Sequence, residues 1–142
     1  MGGLIELADT SAWTNHLKDA AASAAFGELL TRGRIATCEI VVLELLRSSR
    51  DIDSFRLRRH DLSQLPLVPI DTTVWSRATD VFEELAARGP LHHRQVPLPD
   101  LVVAAAADVA GLRVVHYDRD FDVIAEVTGQ PVRAIAPLGS LP

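Results

Sequence analysis

The chain has 142 residues, is 48% hydrophobic and 23% charged, and carries a net charge of −5; this is ordinary for a globular fold that buries its own core. An acidic chain excludes nucleic-acid binding by bulk phosphate neutralisation, though not a local grip through a metal ion and a few arginines. Lys18 is the sole lysine and Cys38 the sole cysteine, which excludes lysine chemistry from nearly all of the chain, an internal disulfide and a cysteine zinc cluster.

With no disulfide to form, a reducing, cytoplasmic setting is expected. The N-terminus has no basic region leading into an apolar run and cleavage site, so no signal peptide is expected. Met1-Gly2-Gly3 begins like a myristoylation motif, but Glu6 stands where Ser or Thr is needed. The longest apolar stretches, 40–46 and 101–107, are too short to span a bilayer.

In chain order, residues 4–8 read as a strand, and Asp9-Thr10-Ser11 as the cap of a helix running through Trp13 and Leu17. Residues 20–31 read as a helix ending at Arg32-Gly33, 34–38 as a strand, and 39–49 as a helix apolar on nearly every side. A charged amphipathic segment spans 51–62 and a short strand 65–70. Asp71 caps a helix to about Arg88, stopped by Gly89-Pro90. A loop, 91–98, carries His92, His93 and Arg94; Pro99 and Asp100 open an Ala-rich helix ending near Gly111. A β-branched strand at 113–117, a helix at 121–127 and a strand at 132–135 complete the series. Strands alternating with helices predict an α/β fold with a mainly parallel sheet, as one domain over 1–142.

Ligands of open α/β sheets lie beyond the carboxyl ends of the strands, where Asp9 and Asp118 fall. Each also suits a helix cap, and Asp120 suits the same cap as Asp118. Glu44 stands among Ile40, Val41, Val42, Leu43, Leu45 and Leu46, so it is expected to be buried and in need of a partner. Arg47, one turn on, is the simple partner; a metal is the other. Glu39 suits a helix start, as does Asp100, while Asp108 is expected at the surface. Singly these residues have structural explanations. Together in one pocket they would repel each other, and a hard divalent cation relieves that conflict. Such a cation suits phosphodiester cleavage.

Four segments, in this order and spacing, resemble a PIN domain of the VapC toxin type over nearly the whole chain. They are Leu7-Ala8-Asp9-Thr10-Ser11-Ala12, Ile40-Val41-Val42-Leu43-Glu44-Leu45-Leu46, Leu98-Pro99-Asp100-Leu101-Val102-Val103-Ala104-Ala105 and His116-Tyr117-Asp118-Arg119-Asp120-Phe121-Asp122. The resemblance implies a three-layer α/β/α sandwich. It implies a catalytic quartet of Asp9, Glu44, Asp100 and Asp118, with Asp9, Asp100, Asp118 and Asp120 as metal ligands. It further implies an endoribonuclease dependent on Mg2+ or Mn2+, a homodimer, and neutralisation by a VapB-like antitoxin. His116 departs from the pattern, since many relatives carry Thr or Ser there, whose hydroxyl often supports the metal or a water; His116 could do that differently, leave metal binding weaker or pack within the strand, and packing is the expected reading. Asp122 is outside the pattern and expected to be exposed.

Arg47, Arg50, Arg56, Arg58 and Arg59 form a mixed-charge stretch with Asp51 and Asp53, read as a solvated helix face. Arg94 and His93, just before Asp100, are candidates for substrate contact. Adjacent histidines lack zinc-ligand spacing. Trp13 and Trp75 read as packing or interface residues, and Cys38 as an inert core residue. A haloacid-dehalogenase phosphatase would need Asp where Ser11 stands, and a receiver domain would need a late lysine. The alternative from another class is a PIN-like module that binds RNA or protein without turnover.

Overall fold

The computed structural model describes residues 4–142, so Met1-Gly2-Gly3 lies outside the described residues. The elements are β1 (Glu6–Ala8), α1 (Thr10–Asn15), a 3-10 turn (His16–Lys18), α2 (Ala20–Thr31), β2 (Ile35–Ala36), α3 (Glu39–Arg47) and α4 (Ile52–Leu62). There follow α5 (Thr72–Ala87), a second 3-10 turn (His92–Gln95), α6 (Leu98–Ala110), β3 (Arg113–His116), α7 (Arg119–Thr128) and β4 (Val132–Ala134). The four strands run parallel in the order β2-β1-β3-β4, with Leu7 paired to Ala36 on one side and Val114 on the other. Helices cover both faces in the α/β/α arrangement. A parallel sheet covered on both faces needs strands apolar on both faces, and Leu7, Ala8, Val114 and Val115 are all fully buried.

The polar exception in β1 is Glu6, which neighbouring strands neutralise. Its carboxylate accepts from Arg113 Nε at 2.6 Å, and from Arg133 Nε and Nη2 at 3.0 and 2.9 Å. The start of β1 is thereby tied by charge to β3, its backbone partner, and to β4, which lies beyond β3 in the sheet.

Aspartates set where most helices begin. Asp9, Asp19, Asp51, Asp71 and Asp118 each accept a backbone N–H in the first turn of α1, α2, α4, α5 and α7. Gly111 ends α6 in the left-handed region (φ 71°), and Leu112 N–H bonds back to Ala107 O. Helix α6 is the core's central rod. Leu101 through Ala107 are all buried, and the run of alanines lets the helix lie close to its neighbours. Along α5, Val74, Ala78, Val81 and Leu85 form the buried stripe, at helical spacing. Cys38 is fully buried.

Two expectations need correction. Residues 65–70 form no strand; a lone parallel bridge joins Leu67 to Thr37, beyond the short edge strand β2. Helix α3 is not buried on every side: Leu43 is 63% exposed and Glu44 is half-buried, because no element among the described residues covers that face. Asp108 keeps its side chain 28% exposed and takes a 2.8 Å bond from Arg77 Nε, linking α6 to α5. No helix among the described residues is long and apolar enough to cross a membrane.

Candidate active site

The carboxyl ends of β1 and β3 are adjacent in the sheet, so the residues that follow them share one edge. Asp9 follows β1 and is 3% exposed. Its Oδ2 caps α1, accepting Ser11 N–H at 2.9 Å and Ser11 Oγ–H at 2.6 Å. Its Oδ1 is buried with no hydrogen-bond partner among the described residues. The helix-cap and ligand readings of Asp9 are therefore compatible, since one oxygen serves the helix and the other stays free.

Asp118 follows β3 and caps α7 through Oδ1, which accepts Asp120 N–H at 2.9 Å. Asp100, in the first turn of α6, is buried. Asp100, Asp118 and Asp120 each offer a carboxylate oxygen, and these atoms lie within 4.8 Å of one another. Asp9 is not a member of that trio, but its charge acts on it. Desolvation first, then the charges of Asp9, Asp118, Asp120 and Glu44, push the Asp100 carboxyl up to about 8. Asp9 is raised as well, chiefly by burial and against the pull of its Ser11 bonds, with Glu44 adding to the rise. Burial and the Asp118 charge raise Asp120.

Glu44 reaches this edge from α3. Thr10 Oγ donates to its Oε1 at 2.9 Å, a contact across 34 residues of chain. No ion pair with Arg47 forms among the described residues, so the simple helical partner is replaced by a tertiary one.

Three residues support the acids through bonds that the sequence left unassigned: Thr10 and Ser11, which it gives only as cap residues, and His116, which it gives chiefly as strand packing. Ser11 Oγ donates to Asp9 and also accepts Tyr117 N–H at 2.9 Å, joining the two strand ends. Thr10 and Ser11 directly follow Asp9, and that adjacency was the available signal. His116 is fully buried, as packing in the strand requires, and its Nδ1 also accepts Asp118 N–H at 3.0 Å. Burial lowers its pKa, so the ring is held neutral, against the opposing pull of Asp122 and Asp9. Asp122 keeps its side chain 49% exposed, with Oδ1 3.7 Å from His116 Nε2.

The candidate substrate contacts differ in character. Arg94 is exposed. His93 sits edge-on against Phe82 with ring centroids 5.2 Å apart, which makes it a packing group of the α5 face. Arg58 is no freely solvated side chain, since it donates to Leu45 O and Ser48 Oγ, both at 2.8 Å. Trp13 packs edge-on against Phe26, whereas Trp75 is 51% exposed. A groove of about 590 Å³, lined by Trp13, Leu17, Leu45 and Leu62 among others, includes none of the clustered carboxylates.

The donors at the strand ends suit a hard divalent cation. They are all oxygens, several are carboxylates forced together, and Asp9 Oδ1 is buried without a partner among the described residues. An acidic cluster at the C-terminal edge of a parallel sheet is the arrangement that the four sequence segments predict.

Comparison with known proteins agrees. Residues 7–127 match the PIN domain. The chain is 38% identical over 133 residues to Ribonuclease VapC18 of Mycobacterium tuberculosis, covering 94% of this chain and 96% of that protein. It is 40% identical over 113 residues to Ribonuclease VapC21 of the same organism, covering 79% and 80%. Its fold superposes on a chain in the crystal structure of DNA-bound VapBC from Salmonella typhimurium with a TM-score of 0.69 and 20% identity, covering 94% of this chain and 100% of that one. The chain belongs to the PIN-domain family, among the VapC ribonucleases.

Proposed function

We propose that this protein is the toxin of a type II toxin–antitoxin pair, a metal-dependent endoribonuclease whose chemistry is carried by Asp9, Glu44, Asp100 and Asp118. The observation that carries the reading is the convergence of Asp100, Asp118 and Asp120, whose carboxylate oxygens lie within 4.8 Å of one another, a crowding that with burial pushes Asp100 up to about 8. Such crowding costs stability unless a cation offsets it.

Asp9 Oδ1 and the oxygens of Asp100, Asp118 and Asp120 are the groups that would hold Mg2+ or Mn2+. A bound ion supplies an activated water and stabilises charge on the phosphate. The chain's own part is to fix the carboxylates. Ser11 and Asp120 N–H orient Asp9 and Asp118, while Thr10 holds one oxygen of Glu44. Asp100 would ligate such an ion as its carboxylate, so binding would require loss of the proton that burial and its acidic neighbours favour. In the overall reaction water adds to phosphorus, one P–O ester bond breaks, and a proton passes to the leaving oxygen.

Arg94, exposed near the start of α6, is the better of the two substrate-contact candidates, because the His93 ring is committed to Phe82. A VapB-like antitoxin is the proposed partner, in keeping with the VapBC complex that contains the Salmonella typhimurium chain of the same fold. A homodimer is proposed as well. Trp75 and Leu98, 51% and 60% exposed beside Phe82 and Val102, supply apolar surface that supports it. The reading places the protein in the cytoplasm, as one PIN domain.

The test is cleavage of a mixed RNA pool by purified protein freed of any partner, with Mg2+, Mn2+ or EDTA, alongside Asp9→Asn. Metal-dependent cleavage lost in the variant is expected. Folded protein that cuts no RNA with either metal would favour the non-catalytic binding module.

A further inference from the structure

The ring of His116 does more than fill the core. It is fully buried at the end of β3, its Nε2 has no hydrogen-bond partner among the described residues, and Asp122 Oδ1 stands 3.7 Å from it. An aliphatic side chain would fill this space against Phe121 without burying an unpaired N–H. What the ring provides is its other nitrogen. Nδ1 accepts the backbone N–H of Asp118 at 3.0 Å, which requires a lone pair on Nδ1 and so puts the ring hydrogen on Nε2.

That bond is the first of two in series. His116 holds the amide of Asp118, and Asp118 Oδ1 holds the amide of Asp120. Both bonds reach two residues forward, and together they set the turn from β3 into α7. Two of the three clustered carboxylates leave the backbone from this turn. The preceding amide, Tyr117 N–H, is held from the other side by Ser11 Oγ. The two consecutive amides at the strand exit are therefore each bound by a side chain, one from β3 itself and one from α1.

We propose that His116 is a positioning residue for the cation site, its Nδ1 fixing the Asp118 amide so that Asp118 and Asp120 converge on Asp100. The inference rests on the reading of the acidic cluster as a cation site. It names a residue that touches neither cation nor RNA and acts only through Asp118.

Mn2+ binding to the purified, partner-free protein tests it, measured by titration calorimetry in wild type, His116→Asn, His116→Gln and His116→Leu. The Asn amide oxygen can occupy the position of Nδ1, whereas the longer Gln side chain places its amide near Nε2. Asn and Gln bury the same polar group, so their difference isolates the acceptor from general destabilisation. Expected are Mn2+ affinity within about threefold of wild type for Asn and a loss of about tenfold or more for Gln and Leu, the scale on which supports of metal ligands act. Circular dichroism establishes folding of each variant, and the Asn–Gln pair decides the matter if Leu does not fold. Equal Mn2+ affinity in Asn and Gln overturns the positioning role while leaving the cation site intact. Absence of Mn2+ binding by folded wild type overturns both.

Discussion

Ser11 Oγ lies 2.6 Å from Asp9 Oδ2 and at the same time accepts the Tyr117 amide at 2.9 Å, so one hydroxyl couples the acid after β1 to the turn after β3. Ser11→Ala removes both bonds. A loss of roughly 1–2 kcal/mol in stability is expected from the unpaired amide and carboxylate. Because Asp9 loses its orientation, Mn2+ affinity should fall by about tenfold. Urea unfolding and Mn2+ titration on the same samples measure the two effects. A stability loss with unchanged affinity would reduce Ser11 to a helix-cap partner.

Asp100→Asn separates catalysis from folding. Cleavage should drop by at least about a hundredfold, as when one electrostatic contact to a charged transition state is removed. The metal-free variant should melt no lower than wild type, since substitution removes a carboxylate whose neighbours repel it. Initial cleavage rates and melting curves in EDTA provide the comparison.

The same residue predicts a pH dependence. The folded-state value of Asp100, about 8, lies far above that of an unfolded aspartate, so between pH 4 and about 8 the folded state binds the extra proton. Stability of the metal-free protein therefore falls as pH rises through this window and levels off above it. Melting in EDTA from pH 5 to pH 8 should show a decline in wild type that Asp100→Asn reduces. A cation competes with that proton, so Mn2+ affinity should rise toward pH 8.

Saturating Mn2+ should raise the melting temperature, because the cation binds the folded carboxylates only. At a hundred times the dissociation constant the gain is about 2.7 kcal/mol, roughly 10 °C for a chain of this size. The shift should vanish with EDTA and shrink in Asp9→Asn.

Glu6 gives the opposite pH sign at the other end of the sheet. Burial alone would raise its pKa, but Arg133 and Arg113 outweigh that and hold it below the usual value of 4.5. Its contribution is thus present above that value and lost as pH falls through the lowered one. Glu6→Gln should destabilise by about 2 kcal/mol at neutral pH, the scale of a broken charged hydrogen-bond pair, and leave cleavage per folded molecule unchanged. Denaturant unfolding at pH 7 and pH 3 should show the wild-type advantage shrinking at the lower pH.

Much of this protein was legible along the chain. Apolar runs followed by Asp mark β1 and β3 and the helices they cap, because capping and strand burial are local rules that neighbouring residues satisfy. The four segments with Asp9, Glu44, Asp100 and Asp118 suffice to place the chain in its family. The strand expected at 65–70 reduces to one bridge, because whether an extended segment becomes a strand depends on the length of the neighbour it meets. Glu44 looked buried from its apolar neighbours in sequence. Its exposure and its Thr10 partner are set by which face of α3 the fold leaves open. The crowding that lifts Asp100 and the grip of Ser11 on Tyr117 join atoms on separate elements, while the bond from Asp118 N–H to His116 Nδ1 depends on how β3 turns into α7. Sequence by itself determined which acids were available and which helices they start. Only the tertiary structure decided how closely those acids approach, because charge repulsion and desolvation depend on distances between elements that local sequence does not encode.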